Sequence, residues 1–139
     1  MTIDKELIVR LFAEAAASPR LRMNYDLRDS AEDGSQRMLN ALLPGTRVPI
    51  HRHSNSSESL VVLCGSMDEI FYDERGNETE RIHFGPSSDN YGCQIPKGVW
   101  HSLEVFEPTV IIEFKNGKYD PVSTEELLEV LEGTRCFVL

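Results

Sequence analysis

The sequence predicts a single, mainly β domain, a sandwich or barrel entered through one helix and closed by another. Three observations point that way. From residue 36 onward the chain breaks into short β-prone runs separated by Gly, Pro, Asn and Asp, the pattern of many short strands rather than alternating βα units. The first residues instead carry apolar side chains at helical spacing. Finally, 139 residues, 40% hydrophobic and 27% charged, suffice for one domain with a real core and are few for two.

The opening helix is predicted over residues 4–17, where Leu7, Ile8, Leu11, Phe12, Ala15 and Ala16 form one stripe. Pro19 ends it. Residues 18–36 are polar and irregular, with "DSAEDGS" a loop. Strand candidates follow in order: "QRMLNALL", "VPIHRH", "ESLVVLCGSMDEIFYD", "ETERIHFG", "GCQIP", "HSLEVFE" and "TVIIEFKN". "DERGNE" reads as a hairpin turn in which Gly76-Asn77 takes up the positive φ. A closing helix is expected over 123–132, "STEELLEVLE", with Ser123 and Glu126 as a capping box and Leu127, Leu128 and Leu131 as its apolar face. The organisation is a helix and irregular lead-in (1–35), a β-barrel (36–122), and a short helix with a tail (123–139), in one structural domain.

Charge narrows the function. The net charge is −9, and a phosphate-backbone binder would need basic clusters; no nucleic-acid partner is expected. Arg20, Arg22 and Arg28 are the only grouped cations. Three guanidiniums can still hold one anionic small molecule. With Asn24, Tyr25 and Asp26 they lie in the irregular segment, read as a solvated loop, with folding over a barrel mouth as the alternative. The longest apolar run, "LVVLC", is too short to span a bilayer, and the start is not a secretory signal; no membrane partner is expected, and the expected compartment is the cytoplasm. Cys64, Cys93 and Cys136 form neither a disulfide framework nor a CxxC pair, and read as buried or free thiols in a reducing compartment.

The chemistry concentrates in "GTRVPIHRHSNSSESLVVLCG", residues 45–65. Alternate strand residues point to one face, so His51 and His53 project side by side and can grip one cation. Glu58 then opens a strand whose Leu60, Val62 and Cys64 would share its face, an odd place for a carboxylate with no partner. A fourth candidate ligand, His101, follows the turn "PKG" in "PKGVWH". Neutral imidazoles with a carboxylate suit one divalent transition metal: Fe, Mn, Zn, Ni or Co. Three histidines and one glutamate leave a coordination position open for catalysis or ligand binding.

At these residues the sequence resembles the cupins. Their first motif, G-x5-H-x-H-x(3,4)-E-x6-G, is matched by Gly45, His51, His53, Glu58 and Gly65. Their second, G-x5-P-x-G-x2-H-x3-N, is matched at Pro96, Gly98 and His101, with Asn90 and Val105 replacing its first and last residues. The replacements touch turns and packing, not a ligand. Over about Gln36 to Pro121 the chain is similar to the WbuC-type cupin-fold metalloproteins, on "QRMLNALLPGT", "IFYDERGNETERIHF", "IPKGVWHSLEVFEP" and "EFKNGKYDP". The resemblance implies a small jelly-roll barrel (a double-stranded β-helix) associated with O-antigen, lipopolysaccharide or other surface-polysaccharide clusters.

The expected function is accordingly a metal-binding cupin that acts on, or binds, a sugar, a sugar nucleotide or a carboxylate. The reaction is unassigned; a metal-dependent isomerase or epimerase and an iron-dependent oxygenase or dioxygenase are the enzyme readings. A non-catalytic binding module and a purely structural metal site are the alternatives. A homodimer is expected, since a small barrel can bury an outer face or edge strand against its copy. Candidate pocket-lining residues are Cys93, Tyr91, Gln94, Trp100, Leu60 and Val62. His83 reads as an exposed strand histidine.

Overall fold

The computed structural model describes residues 1–118 and 125–128. Helix α1 runs over Lys5–Ala17. Asp4 caps it, its side chain accepting from Leu7 N at 3.0 Å, and Ser18 is already extended. Leu7, Leu11 and Ala15 are its buried face.

Eight strands follow among the described residues: β1 Arg22–Asp26, β2 Ser35–Leu42, β3 His51–His53, β4 Glu58–Tyr72, β5 Glu78–Phe84, β6 Gly92–Ile95, β7 Trp100–Asn116 and β8 Glu125–Leu127. They hydrogen-bond into one antiparallel sheet. Two long strands organise it. Residues 58–62 of β4 pair with 111–115 of β7, and residues 67–72 of β4 pair with 100–105 of β7. Between these stretches the register shifts three times, and such bulges bend and twist a strand. The first half of the sheet is completed by β1, β2 and β6, and the second by β3, β5 and β8. The sheet folds over at the bend, so the halves enclose a cavity, the expected jelly-roll barrel.

Gly65 lies at the bend with φ +104°. A Cβ there would come within 2.3 Å of Thr109 Oγ1 and 2.4 Å of Pro108 O, so only glycine lets β4 cross β7 this closely. The same bend explains why "HSLEVFE" and "TVIIEFKN" are one strand rather than two. Pro108, which cannot donate to a ladder, sits where the register breaks.

Strand periodicity sorts the side chains. On β2, Leu39 and Ala41 pack with Val110 against Leu7, Leu11 and Ala15 of the helix. Their neighbours Gln36, Met38 and Asn40 face the cavity. The barrel core is built on Leu42, Leu60, Met67, Phe71, Phe84, Ile95, Val105 and Ile111. A third group, Ile50, Ile70, Tyr72 and Trp100, packs at the β3 side with Leu128.

Two expectations need correction. Residues 22–26 are not irregular: "RMNYD" pairs with β2 from Arg22↔Leu42 to Asp26↔Met38. Its alternation puts Met23 and Tyr25 against the helix-side core and Arg22 and Asn24 on the cavity. Nor is the closing segment helical where it is described. Glu125–Leu127 pairs with β3, and Leu128 N donates to Ile50 O at 2.9 Å. The three-residue β3 would otherwise present unpaired backbone groups along that edge, and satisfying them outweighs the local helical pattern. The rest of the expected helix, and Cys136, lie outside the described residues.

Candidate metal centre

The site is assembled by three strands, β3, β4 and β7. On β3 the side-chain period of two puts His51 and His53 on the cavity face. Arg52 points the other way, its guanidinium 4.3 Å from the centroid of the Trp100 ring. Across the ladder, His51 is the register partner of His101 on β7. The turn "PKG" delivers His101: Gly98, with φ +80°, donates from its N–H to His53 O at 2.8 Å. This bond ties the turn to β3 and sets the level at which β7 begins. Glu58, the first residue of β4, completes the group.

One ligand atom from each of His51, His53 and His101 lies within 4.8 Å of the other two, so the three can hold a metal ion. Their ring centroids are 4.2, 5.3 and 5.8 Å apart. Glu58 Oε2 is 3.3 Å from His53 Nε2 and 3.8 Å from His101 Nε2. His53, Glu58 and His101 are buried.

Two of the three imidazoles are oriented from behind. His51 Nδ1–H donates to Pro49 O at 2.8 Å and His101 Nδ1–H to Val99 O at 2.9 Å. That tautomer leaves each Nε2 lone pair for the interior, the arrangement metal-ligating histidines adopt. Burial, with His101 next to it, pulls the His51 pKa down to about 3, and burial lowers that of His101. Both rings are therefore neutral near pH 7, as ligation requires. His53 is held differently: Lys115 Nζ donates to its Nδ1 at 3.1 Å, which leaves the ring proton on Nε2, facing Glu58. Burial opposes the Glu58 charge, but the hydrogen bond from His53 and the neighbouring imidazoles outweigh it and hold the carboxyl at about 2. Ligation by His53 would need its proton on Nδ1 and Lys115 displaced from that nitrogen; all three imidazoles would then turn a lone pair to one point beside Glu58, a donor set that suits a divalent cation.

The site opens on a cavity of about 530 Å³. Leu60, expected in the pocket, is part of its wall. The other expected lining residues are elsewhere. Tyr91 is 77% exposed and Gln94 is exposed. Val62 and Cys93 pack against the barrel core, and burial, then Glu69, pushes the Cys93 thiol up to about 12, which keeps it protonated. Trp100 alternates with His101 and so faces away, donating from Nε1 to Glu74 Oε2 at 3.0 Å. His83 Nδ1–H donates to Asp68 Oδ1 at 2.6 Å; it is absent from the three-histidine group.

Sequence reasoning missed Glu69, Asn40, Glu113 and Lys115, all on the cavity wall. A signal existed for Glu69: in a strand, adjacent Asp68 and Glu69 point to opposite faces, so one of the two carboxyls had to turn inward. Asp68 is the outer one, 3.1 Å from Arg81 Nη1. Glu69 is 1% exposed, and burial, then the nearby Glu58 and Glu113, raises its pKa well above the usual carboxyl value. Arg20 and Arg22 also reach the cavity, where Arg22 Nη1 is anchored on Arg47 O at 2.7 Å.

Comparison with known proteins follows the same lines. The model of a domain of unknown function, DUF6016, matches residues 3–84. The capsular polysaccharide assembling protein CapF from Staphylococcus aureus is 26% identical with a TM-score of 0.63, over 81% of this chain and 33% of that one. Oxalate oxidase in complex with the substrate analogue glycolate is 17% identical with a TM-score of 0.60, over 81% of this chain and 57% of that one. Oxalate decarboxylase from Bacillus subtilis is 17% identical with a TM-score of 0.58, over 77% and 27%. The last two similarities concern the fold alone. This chain spans about a third of the length of CapF. No curated protein matches it. The fold is the single-barrel cupin fold. No helix among the described residues is long and apolar enough to cross a membrane.

Proposed function

We propose, from the premise that this chain belongs to the DUF6016 family, that it is a metal-dependent cupin of the WbuC type acting on or binding a sugar or sugar nucleotide. His51, His53, Glu58 and His101 hold one divalent transition metal, among which Fe, Mn, Zn, Ni and Co all suit imidazole and carboxylate donors. The observation that carries this is the convergence of three imidazoles within 4.8 Å, two of them carbonyl-anchored through Nδ1. A bound ion there would polarise a carbonyl or hydroxyl oxygen of the ligand, or hold a water.

The chain's own groups do the rest. The backbone carbonyls of Pro49 and Val99 keep His51 and His101 turned inward. Lys115, Arg20 and Arg22 on the cavity wall favour a ligand with an anionic part, such as a sugar phosphate or a carboxylate. The sugar assignment draws support from the similarity to CapF, a capsular polysaccharide assembling protein. A structure of CapF with the inhibitor 3-isopropenyl-tropolone supports a small-molecule ligand. Glu69, a carboxyl on the same cavity wall whose protonated form burial favours, supports isomerisation or epimerisation over a passive binding module. Association into a homodimer belongs to the same reading: Val61, Leu63 and Phe114 leave apolar side chains exposed on β4 and β7.

Elemental analysis of untagged protein, beside the His51→Ala/His101→Ala double variant, is the test. About one metal per chain in the wild type and none in the variant is the expected result. Full metallation of the variant, or none of the wild type, refutes the site. Iron leads next to oxygen-consumption assays, and zinc or manganese to sugar isomerisation. Light scattering on the same sample reads the dimer.

A further inference from the structure

Two buried polar atoms in the barrel interior have no hydrogen-bond partner among the described residues: Glu69 Oε2 and Asn40 Oδ1. Such atoms are few in native proteins, because each forfeits its bonds to water and receives nothing back. Both residues line one cavity. They also come from opposite halves of the folded sheet. Asn40 is on β2, register partner of Ile111, and Glu69 is on the far stretch of β4, register partner of Leu103. A molecule filling the cavity would have both in its walls. The cavity is also lined by His51, His53, Glu58 and His101, so such a molecule would adjoin the proposed metal site too.

The two groups differ in what they need. The amide oxygen of Asn40 only accepts. Glu69 is deprived of water and placed near Glu58 and Glu113, which favours its protonated form, and a protonated carboxyl donates as well as accepts. A ligand carboxylate has no hydrogen for Asn40. A ligand ammonium has no lone pair for Glu69. A hydroxyl both donates and accepts, so two hydroxyls on one carbon skeleton serve both positions.

Resting on the sugar-directed reading above, we propose that Glu69 and Asn40 form a hydroxyl-binding subsite across the barrel, selecting polyhydroxylated ligands. The pair acts as a specificity device: a ligand without hydroxyls leaves both groups buried and unpaired, which discriminates strongly against it. Lys115, Arg20 and Arg22 then accommodate an acidic substituent on the same ligand.

The test uses the full chain, as purified and after zinc loading. The probes are a hexose, a hexuronic acid, a uridine-diphosphate hexose and, as the hydroxyl-free control, succinate. Binding is read by saturation-transfer NMR and calorimetry for wild type, Glu69→Met, Glu69→Gln and Asn40→Leu, with folding checked by circular dichroism. Expected is binding of at least one hydroxylated probe, weakened about tenfold by Glu69→Met and by Asn40→Leu and less by Glu69→Gln. Absence of binding by every hydroxylated probe, succinate binding that the apolar variants weaken as much as that of the hexuronic acid, or unchanged binding of the hydroxylated probes in both apolar variants overturns the proposal. Metal content is measured on the same samples. Loss of probe binding with metal retained isolates the subsite. A wild type that takes up no metal refutes the metal reading alone, and the hydroxyl subsite is then judged on the as-purified protein.

Discussion

His51 and His101 face each other as register partners across β3 and β7, with ring centroids 4.2 Å apart. Each holds its Nδ1–H on a carbonyl two residues earlier in its own chain segment, Pro49 O and Val99 O. Two strands distant in sequence thus present the same tautomer to the same point. Removing one ring should dismantle the site without unfolding the barrel, because neither imidazole is bonded to the other. His101→Ala, and likewise His53→Ala, is expected to lower bound metal at least about tenfold, as read by elemental analysis after dialysis. Metal retained at the wild-type level in either variant would remove that residue from the ligand set.

The same rings make the protein sensitive to acid. His51 sits at about 3 in the fold against 6.5 when exposed. Between those values the unfolded chain binds a proton that the folded one refuses, so stability rises with pH across the window and is lost as pH falls through it. Glu58, at about 2 against 4.5, adds loss in the same direction below pH 4.5. Thermal melts of wild type and His51→Gln, with a chelator present, should therefore converge as the pH drops from 6.5 towards 4. Parallel curves would show that His51 takes up its proton inside the fold.

Glu69 works in the opposite direction. Its folded pKa is raised from 4.5, so its contribution is intact below that value and is lost as pH rises towards the folded one. A buried carboxyl with one oxygen left unbonded also costs stability at any pH. Glu69→Met should stabilise the protein by about 1–2 kcal/mol, with the advantage growing above pH 4.5. Denaturant melts at two pH values check this. A destabilised variant would mean that the carboxyl makes an essential bond.

Gly65 is the most constrained position of the barrel. With φ +104° and Pro108 O and Thr109 Oγ1 inside contact distance of any Cβ, alanine meets both backbone strain and a clash. Gly65→Ala is expected to cost about 3 kcal/mol or more, measured by urea unfolding. A cost under about 1 kcal/mol would show that the β4–β7 crossing can relax.

Much of this protein is legible along the chain. The stripe Leu7, Leu11, Ala15 announces α1 because a helix buries every third or fourth residue, and the turns announce most strands because Gly and Asn occupy backbone conformations other residues avoid. The spacing His51, His53, Glu58 and then His101 names the side chains that the structure gathers, since a strand's two-residue period is local and carries its own direction. What lies opposite is not local. That β3 recruits Glu125–Leu127 as a strand, that Arg22 and Asn24 turn into the cavity, and that Trp100, beside a proposed ligand, faces away were decided by which edges needed partners and which face the sheet closed upon. The same holds for Glu69 and Asn40. Each reads as an ordinary polar strand residue until the two halves of the sheet fold together and withdraw both from water.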